Sequence, residues 1–306
     1  HRYRAVRSEF RCGQLQRAGV DSPFVDPDFW VQLQTTMSER EYNRKVLALD
    51  LPSESRVYNA FDRDRNIRPL QQVPRWPDVT SRELAPWGRN LDILVGFDPG
   101  RLFNVSVLLK AYQPPMPPPS RAVPRPEMPA PVWFVIGEVI SRQSTTEKHC
   151  RDLLKVVREK WGCNLSADGP QIFLRGDPAT TTGSDENHPD MTVFTVLRQH
   201  GINAKAAAYK ANSVQHGRVP KEGRLEMMNT LFHSADGVVR LVIQCDDKGN
   251  LAAPKLVEAL ESLERNGDWK AEAGRKDEND QTHLPCALGY ALWSIEKPRL
   301  DARRAG

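Results

Sequence analysis

Two aspartates stand where apolar runs of this sequence end, and their position suits metal chemistry. Asp98 closes the run that begins at Leu91, and Asp177 closes the run that begins at Gln171. If both runs are buried strands that lie side by side, the two carboxylates face each other across a gap as wide as a divalent ion. Divalent ions held by carboxylates support the hydrolysis of phosphodiester bonds. The pattern therefore favours a metal-dependent hydrolytic site at the ends of two strands.

Each aspartate on its own is also compatible with a simple turn. Asp98 begins an Asp-Pro-Gly sequence, and Asp177 precedes Pro178. Aspartate beside proline or glycine is typical of turns and helix caps. A turn does not explain why both aspartates end apolar runs. Metal ligation explains this shared position, so we favour it.

Composition limits the class of protein. The 306 residues are 39% hydrophobic and 27% charged, with a net charge of +4 and no apolar run of the length that a membrane span needs. The mildly basic balance permits nucleic-acid binding. Five cysteines form no CxxC pair, which argues against a structural zinc site and favours a reducing compartment. No P-loop motif is present, and the chain starts with neither methionine nor a signal peptide, so we expect a fragment or a trimmed product.

The order of predicted elements indicates an α/β fold. Residues 1–88 are expected to form an N-terminal appendage and linker, with a capped helix after Ser38 and a proline-rich stretch at 66–90. Residues 89–296 alternate strands and helices after an opening set of antiparallel strands, and 297–306 are expected to be a disordered basic tail. The helices are predicted at 145–161, 190–200, 220–233, 254–265 and 285–295. This order is typical of a ribonuclease-H-like mixed sheet flanked by helices.

Three motifs together resemble the C-terminal nuclease region of tailed-bacteriophage terminase large subunits. The first is the segment 37–63, which is similar to the stretch that joins the packaging ATPase to the nuclease. The second is the pair of strand-end aspartates. The third is the sequence Thr282-His283-Leu284 followed by Ala287-Leu288-Gly289-Tyr290, similar to the family's closing Thr-His-x-x-Asp-Ala-Leu-x-Tyr helix. The resemblance covers roughly residues 35–296. It implies that residues 1–88 are the end of the ATPase region and a linker, and that 89–296 are the nuclease domain.

The resemblance implies a two-metal endonuclease that cuts concatemeric viral DNA during genome packaging. Asp98 would bridge two Mg²⁺ or Mn²⁺ ions, Asp177 would hold one of them, and His283 would lie beside them as a catalytic residue. The implied partners are double-stranded viral DNA, the portal protein, the small terminase subunit and an ATPase region of the same polypeptide. The implied location is the host cytoplasm, at the portal vertex of the procapsid, with no membrane partner.

Cys286 departs from the family's pattern, which has its third acidic ligand at this place. A thiol is a poor ligand for Mg²⁺. Either the nuclease activity is reduced, or another side chain completes the site. Asp280 is the predicted third metal ligand; with Asp277 and Glu278 it forms an acidic patch that a solvated loop explains equally, and Glu138 at a strand end is a candidate to face the same cleft as the aspartates.

Basic residues near the predicted strand 203–209 are candidates for DNA contact: Lys205, Lys210, Arg218 and Arg224. Lysine and arginine bind backbone phosphates without reading bases, although a solvated basic face explains the same pattern. Two other functions stay open. The region can be a DNA-binding and portal-docking module with vestigial nuclease activity, or a junction resolvase or transposase of the same fold, which leaves the segment 37–63 unexplained.

Overall fold

The computed structural model of the chain describes residues 27–47, 49, 56–69, 93–100, 103–112, 131–161, 172–178, 184–185, 188–207, 219–264 and 280–305. None of the helices in these ranges is long and apolar enough to cross a membrane.

The described residues form eight helices and nine strands. The helices are α1 (Pro27–Thr36), α2 (Glu39–Lys45), α3 (Arg63–Asn66), α4 (Thr146–Trp161), α5 (Val193–Gln199), α6 (Lys221–Phe232), α7 (Pro254–Ser262) and α8 (Asp280–Ala305). The strands are β1 (Ile67–Pro69), β2 (Ile93–Pro99), β3 (Phe103–Tyr112), β4 (Val132–Arg142), β5 (Ile172–Gly176), β6 (Ser184–Asp185), β7 (His188–Thr192), β8 (Asn203–Ala206) and β9 (Leu241–Cys245).

Seven of these strands make one mixed sheet in the order β1-β9-β4-β3-β2-β5-β8. The pairs β2–β3 and β3–β4 are antiparallel, whereas β5 runs parallel to β2 and β8 runs parallel to β5. Counted from β2, five strands therefore lie in the spatial order third, second, first, fourth, fifth. This is the ribonuclease-H-like arrangement that the sequence predicts, with the strand of Asp98 first and the strand of Asp177 fourth.

The two faces of the sheet carry separate hydrophobic cores. Side chains alternate between faces along a strand, so Leu94 of β2 packs in the core that contains α6, α7 and α8. Phe97 of the same strand packs in the second core, with α4 and α5. Helices α6, α7 and α8 therefore cover the face on which Leu94, Gly96 and Asp98 lie.

Helix α8 approaches β2 very closely, and a glycine makes this possible. A Cβ atom placed on Gly96 would lie 2.0 Å from the carbonyl oxygen of Ala287 in α8. Atoms cannot come that close, so any side chain at this position would push the helix away from the sheet. Gly96 therefore sets how deeply α8 sits against the strand that carries Asp98.

Several predicted elements are confirmed. Ser38 caps α2, where its side chain accepts a hydrogen bond from the amide of Glu41 at 3.3 Å. Strands β3 and β4 form the predicted antiparallel hairpin, whose proline-rich tip at 113–130 lies outside the described residues. The predicted helix 190–200 is instead strand β7 up to Thr192, followed by α5.

The last helix is longer than the sequence predicts. It spans Asp280–Ala305, whereas the sequence places a helix at 285–295 and a disordered tail at 297–306. Pro285 suggests a helix start, because proline fits the first turn best. Here it lies inside the helix, where proline costs about 3 kcal/mol. Burial of Leu284 and Leu288 on either side offsets this cost.

Part of the predicted N-terminal appendage belongs to the main core. Strand β1 pairs in parallel with β9 at the edge of the sheet. Val57 and Phe61, just before it, are buried in the α8-side core. Residues 56–69 therefore pack with the sheet rather than as a separate appendage, although the predicted boundary at residue 88 lies among residues that the structure does not describe.

Candidate active site

Asp98 and Asp177 lie at the ends of neighbouring parallel strands. Phe97 of β2 is in register with Gly176 of β5. The residues that come next on the two strands, Asp98 and Asp177, therefore lie side by side at the same edge of the sheet. Registered neighbours point to the same face, which is the face that α8 covers. Asp98 is only 2% exposed, whereas Asp177 is half-buried. The structure thus places both carboxylates on one face, as a shared metal site requires.

Helix α8 holds Asp98 through a buried histidine. Nδ1 of His283 lies 3.0 Å from Oδ2 of Asp98, and both side chains are almost fully buried. An ionised carboxylate accepts only, so an Asp98 that is ionised would take a hydrogen bond from Nδ1. Gly100 makes room for the ring, because a Cβ there would lie 2.8 Å from Cε1 of His283. The Asp-Pro-Gly sequence therefore does more than turn the chain.

The same helix holds Asp177 through a tyrosine. The hydroxyl of Tyr290 donates to Oδ2 of Asp177 at 2.8 Å. Burial raises the pKa of Tyr290 well above its ordinary value, and the nearby charges of Asp98 and Asp177 raise it further against the opposing effect of Arg224. Tyr290 therefore stays protonated and serves as a fixed donor to the carboxylate.

Arg224 corrects one of the DNA-binding predictions. The sequence suggests an exposed phosphate contact, but the residue is only 5% exposed and faces the interior from α6. Its Nη2 donates to Sγ of Cys286 at 3.2 Å, and its guanidinium carbon lies 4.5 Å from the centre of the Tyr290 ring. Burial opposes the charged form, yet Cys286, Tyr290 and Tyr58 outweigh it and raise the pKa of Arg224.

Lys205, one of the predicted DNA contacts, lies on a strand next to that of Asp177. It is exposed on β8 and in register with Arg175 of β5, two residues before Asp177. Since alternate residues share a face, Lys205, Arg175 and Asp177 lie on the same side of the sheet. The other two predicted contacts, Lys210 and Arg218, lie outside the described residues.

Neither candidate for a third carboxylate is placed in the site by the structure. Asp280 is the first residue of α8, but its side chain lies outside the described part of the chain. Glu138 is used elsewhere: its carboxylate accepts the amides of Lys255 and Leu256, each at 2.9 Å, at the start of α7. The suggestion that Glu138 faces the aspartates is therefore replaced by a helix-capping role.

Sequence reasoning missed the part that Tyr290 plays, although a signal was present. His283, Cys286 and Tyr290 are spaced by three and four residues, which puts them on one stripe of a helix. Two of them hold the aspartates and the third meets Arg224. The spacing indicates that all three face the sheet.

The two carboxylates are donors of the kind that hard divalent ions bind. Carboxylate oxygens are the ligands that Mg²⁺ and Mn²⁺ prefer, and Asp98 and Asp177 supply two of them. Within the described stretches, no group of three or more His, Cys, Asp or Glu side chains is arranged to hold a metal ion. A second ion would need a donor in the place that Cys286 takes, and there the thiol meets a guanidinium.

Comparison with solved structures reveals similarity to phage large terminases. The large terminase of a thermophilic bacteriophage superposes with a TM-score of 0.55 and 15% sequence identity, over 90% of this chain and 54% of that one. The chain has the fold of that part of the terminase. It spans about half of the length of the thermophilic phage protein.

Two isolated nuclease domains give weaker superpositions. The nuclease domain of the P22 large terminase covers 81% of this chain and 97% of its own length, with 10% identity and a TM-score of 0.44. The SPP1 large terminase nuclease domain, solved with bound Mn, covers 78% and 98%, with 14% identity and a TM-score of 0.37. No protein-family model and no curated protein matches the sequence.

Proposed function

We propose that this chain is the nuclease part of a phage DNA-packaging terminase and cuts concatemeric viral DNA with the help of divalent metal. The observation that carries the proposal is the placement of Asp98 and Asp177 on adjacent parallel strands, on one face of a ribonuclease-H-like sheet. The fold shared with the large terminase of the thermophilic phage supports it.

Each residue of the site then has a distinct role. Asp98 and Asp177 would hold Mg²⁺ or Mn²⁺ between them. The bound ion would lower the pKa of an attacking water and stabilise the charge on the leaving 3′ oxygen. His283 and Tyr290 fix the orientation of one carboxylate each, so that the site is formed before the substrate arrives. No serine or cysteine is needed as a nucleophile, because the attacking group is water.

The proposal extends to the assembly. Lys205 would contact backbone phosphates of double-stranded viral DNA beside the aspartates, as would Lys210 and Arg218. Further partners would be an ATPase region in the same polypeptide, the portal protein and the small terminase subunit. The site of action would be the portal vertex of the procapsid, in the host cytoplasm. The third metal ligand predicted at Asp280 remains part of this proposal.

A second function is favoured by one observation. The place of the third acidic ligand holds Cys286 in contact with the buried guanidinium of Arg224. A positive charge there weakens metal binding, so the region can instead serve as a DNA-binding and portal-docking module with vestigial cleavage.

Digestion of supercoiled plasmid separates the two functions. We expect nicking and linearisation in Mg²⁺ or Mn²⁺, reduced to background in Asp98→Asn and in Asp177→Asn. Asp247→Asn, a matched change at an exposed turn after β9, should cut like wild type. Absence of cleavage by wild type in both metals, with DNA binding retained, would favour the docking module.

A further inference from the structure

Arg224 reaches from α6 to the helix that contacts Asp177. The residue is 5% exposed, and its guanidinium carbon lies 4.5 Å from the centre of the Tyr290 ring on α8. Its Nη2 lies 3.2 Å from Sγ of Cys286, one helical turn before that tyrosine. The guanidinium therefore contacts α8 at two points on one stripe of the helix.

A glycine of α8 leaves the space that this side chain fills. A Cβ atom placed on Gly289 would lie 2.5 Å from Cδ and 2.7 Å from Cγ of Arg224. Packed atoms do not come that close, so any side chain at position 289 would displace the stem of the arginine. Glycine weakens a helix interior relative to alanine, yet here it stands inside α8. The place of Arg224 against Tyr290 therefore depends on Gly289.

The guanidinium is charged in this buried place and acts on the tyrosine. Burial opposes the charged form, but the groups around Arg224 outweigh burial and raise its pKa. A cation over the face of an aromatic ring is attracted to it, so this contact restrains the ring of Tyr290. Burial raises the pKa of Tyr290, and the charge of Arg224 opposes that effect. The same charge makes the hydroxyl a stronger hydrogen-bond donor.

We propose that Arg224 is a positioning residue for Asp177, which acts through the ring and the hydroxyl of Tyr290. The hydroxyl donates to Oδ2 of Asp177 at 2.8 Å, so the arginine is two contacts away from the carboxylate. It restrains the ring and strengthens the hydrogen bond, and the carboxylate keeps one orientation. This inference rests on the proposed nuclease function, in which Asp177 binds metal.

The proposed role predicts that two substitutions depend on each other. Arg224→Met removes the charge and keeps an unbranched stem, whereas Tyr290→Phe removes the hydroxyl and keeps the ring. If Arg224 acts through that hydroxyl, removing the arginine has little left to disturb once the hydroxyl is gone. Effects that do not pass through the hydroxyl, such as a changed charge near the metal, are the same with and without it. They cancel when the two chains are compared.

Plasmid cleavage by the full chain over a range of Mn²⁺ concentrations measures this dependence. A misplaced metal ligand raises the Mn²⁺ concentration that gives half-maximal cleavage, whereas a loss of folded protein lowers the maximal rate alone. We expect Arg224→Met to raise the half-maximal concentration about tenfold in the otherwise wild-type chain, the low end of the range for residues that orient a metal ligand. In the chain that carries Tyr290→Phe, the same change should shift it by less than about twofold.

Two further variants make the comparison specific. Gly289→Ala should show the same dependence on the Tyr290 hydroxyl, because its methyl would displace the stem of Arg224 while the charge stays in the molecule. Arg240→Met is the matched control. Arg240 is also buried, but its Nη2 donates to the carbonyl oxygen of Thr35. It should shift the half-maximal Mn²⁺ concentration by less than about twofold in either chain.

The outcomes separate this inference from the proposed function. Circular dichroism verifies folding; Arg224→Gln replaces Arg224→Met if that chain does not fold, and Gly289→Ala replaces both if neither does. Equal shifts with and without Tyr290→Phe would overturn the inference and leave the proposed function standing, as would a lower half-maximal Mn²⁺ concentration in Arg224→Met than in wild type. Absence of Mn²⁺-dependent cleavage by wild type would overturn both.

Discussion

Asp177 accepts a hydrogen bond from a tyrosine that cannot easily ionise. Tyr290 is buried, its pKa is raised, and its hydroxyl donates to Oδ2 of Asp177 at 2.8 Å. Mutating a neighbour that orients a metal ligand in this way typically lowers metal affinity or activity. If Asp177 binds metal as proposed, the tyrosine acts on cleavage through the carboxylate.

Replacing Tyr290 by phenylalanine should lower metal-dependent cleavage about 10–100-fold. The ring and its packing remain, but Asp177 loses the donor that fixes it. Tyr42→Phe is the matched control. The hydroxyl of this buried tyrosine on α2 accepts a hydrogen bond from Gln34 at 3.3 Å and makes no contact with the aspartates among those that the structure describes. Equal cleavage rates for Tyr290→Phe and wild type would show that the hydrogen bond has no part in catalysis.

At the level of elements, α8 is the helix that contacts both aspartates at the edge of the sheet. It supplies His283 to Asp98 and Tyr290 to Asp177, and it lies against β2 at Gly96. A shift of this helix by about 1 Å would disturb both contacts at once, and misplacement on this scale can cost about 10²-fold in rate.

Gly96→Ala should destabilise the fold by about 1–3 kcal/mol, because the added methyl would overlap the carbonyl of Ala287. Gly137→Ala is the matched control on β4, where the nearest atom to a new Cβ is Cδ1 of Leu108 at 3.9 Å. Urea unfolding measures both. A similar loss of unfolding free energy in the two variants would mean that the close approach of α8 is not what Gly96 permits.

The opposite face of the sheet contains a buried histidine with a different consequence. His149 of α4 lies 2.8 Å from the hydroxyls of both Ser106 and Ser141. Burial lowers its pKa from 6.5 to about 4, against a smaller opposing effect of Asp152. The folded state therefore keeps this imidazole neutral, while the unfolded chain binds a proton below about pH 6.5.

His149 should make stability fall in acid. Between pH 6.5 and 4 the unfolded state binds more protons than the folded state, so the free energy of unfolding rises with pH and reaches its full value above pH 6.5. The loss by pH 4 is about 3 kcal/mol. His149→Gln keeps a hydrogen-bonding amide but does not titrate, so its unfolding free energy relative to wild type should improve as pH falls. A constant difference from pH 7 to pH 4 would contradict the burial effect.

For the whole molecule, the residues proposed to act on DNA lie on one face of the sheet. Asp98, Asp177 and Lys205 lie on the face of α8, whereas α4 and α5 pack against the other. A duplex that reaches the aspartates would therefore pass β8 and its exposed lysine. The opposite face should take no part in DNA binding.

Lys205→Glu should weaken DNA binding and lower the slope of log affinity against log salt by about 0.9, the value of one phosphate contact. Lys155→Glu is the matched control, since this lysine is exposed on α4, on the other face. Fluorescence anisotropy over a range of salt concentrations measures both. Unchanged binding by Lys205→Glu would return Lys205 to the role of a solvated surface residue.

How far the sequence predicts this molecule depends on the range of the interactions involved. The strands of Asp98 and Asp177 are evident from apolar runs, and their placement in the fold follows from element order. The burial of Arg224 cannot be predicted from the sequence, because it depends on the packing of α8 against α6. The residues around Arg224 in the sequence carry no pattern that indicates a buried arginine. The length of α8 was missed for a similar reason: the tertiary packing of Leu284 and Leu288 outweighs the local effect of Pro285.

The central claim is that Asp98 and Asp177 bind one metal ion between them. A crystal of the chain soaked in Mn²⁺ and measured for anomalous scattering tests this most directly. We expect a peak bound by both carboxylates at about 2.0–2.4 Å, the range of oxygen ligands to such ions. The peak should be absent from Asp98→Asn. An anomalous peak away from these aspartates, or a peak bound by only one of the two carboxylates, would contradict the account.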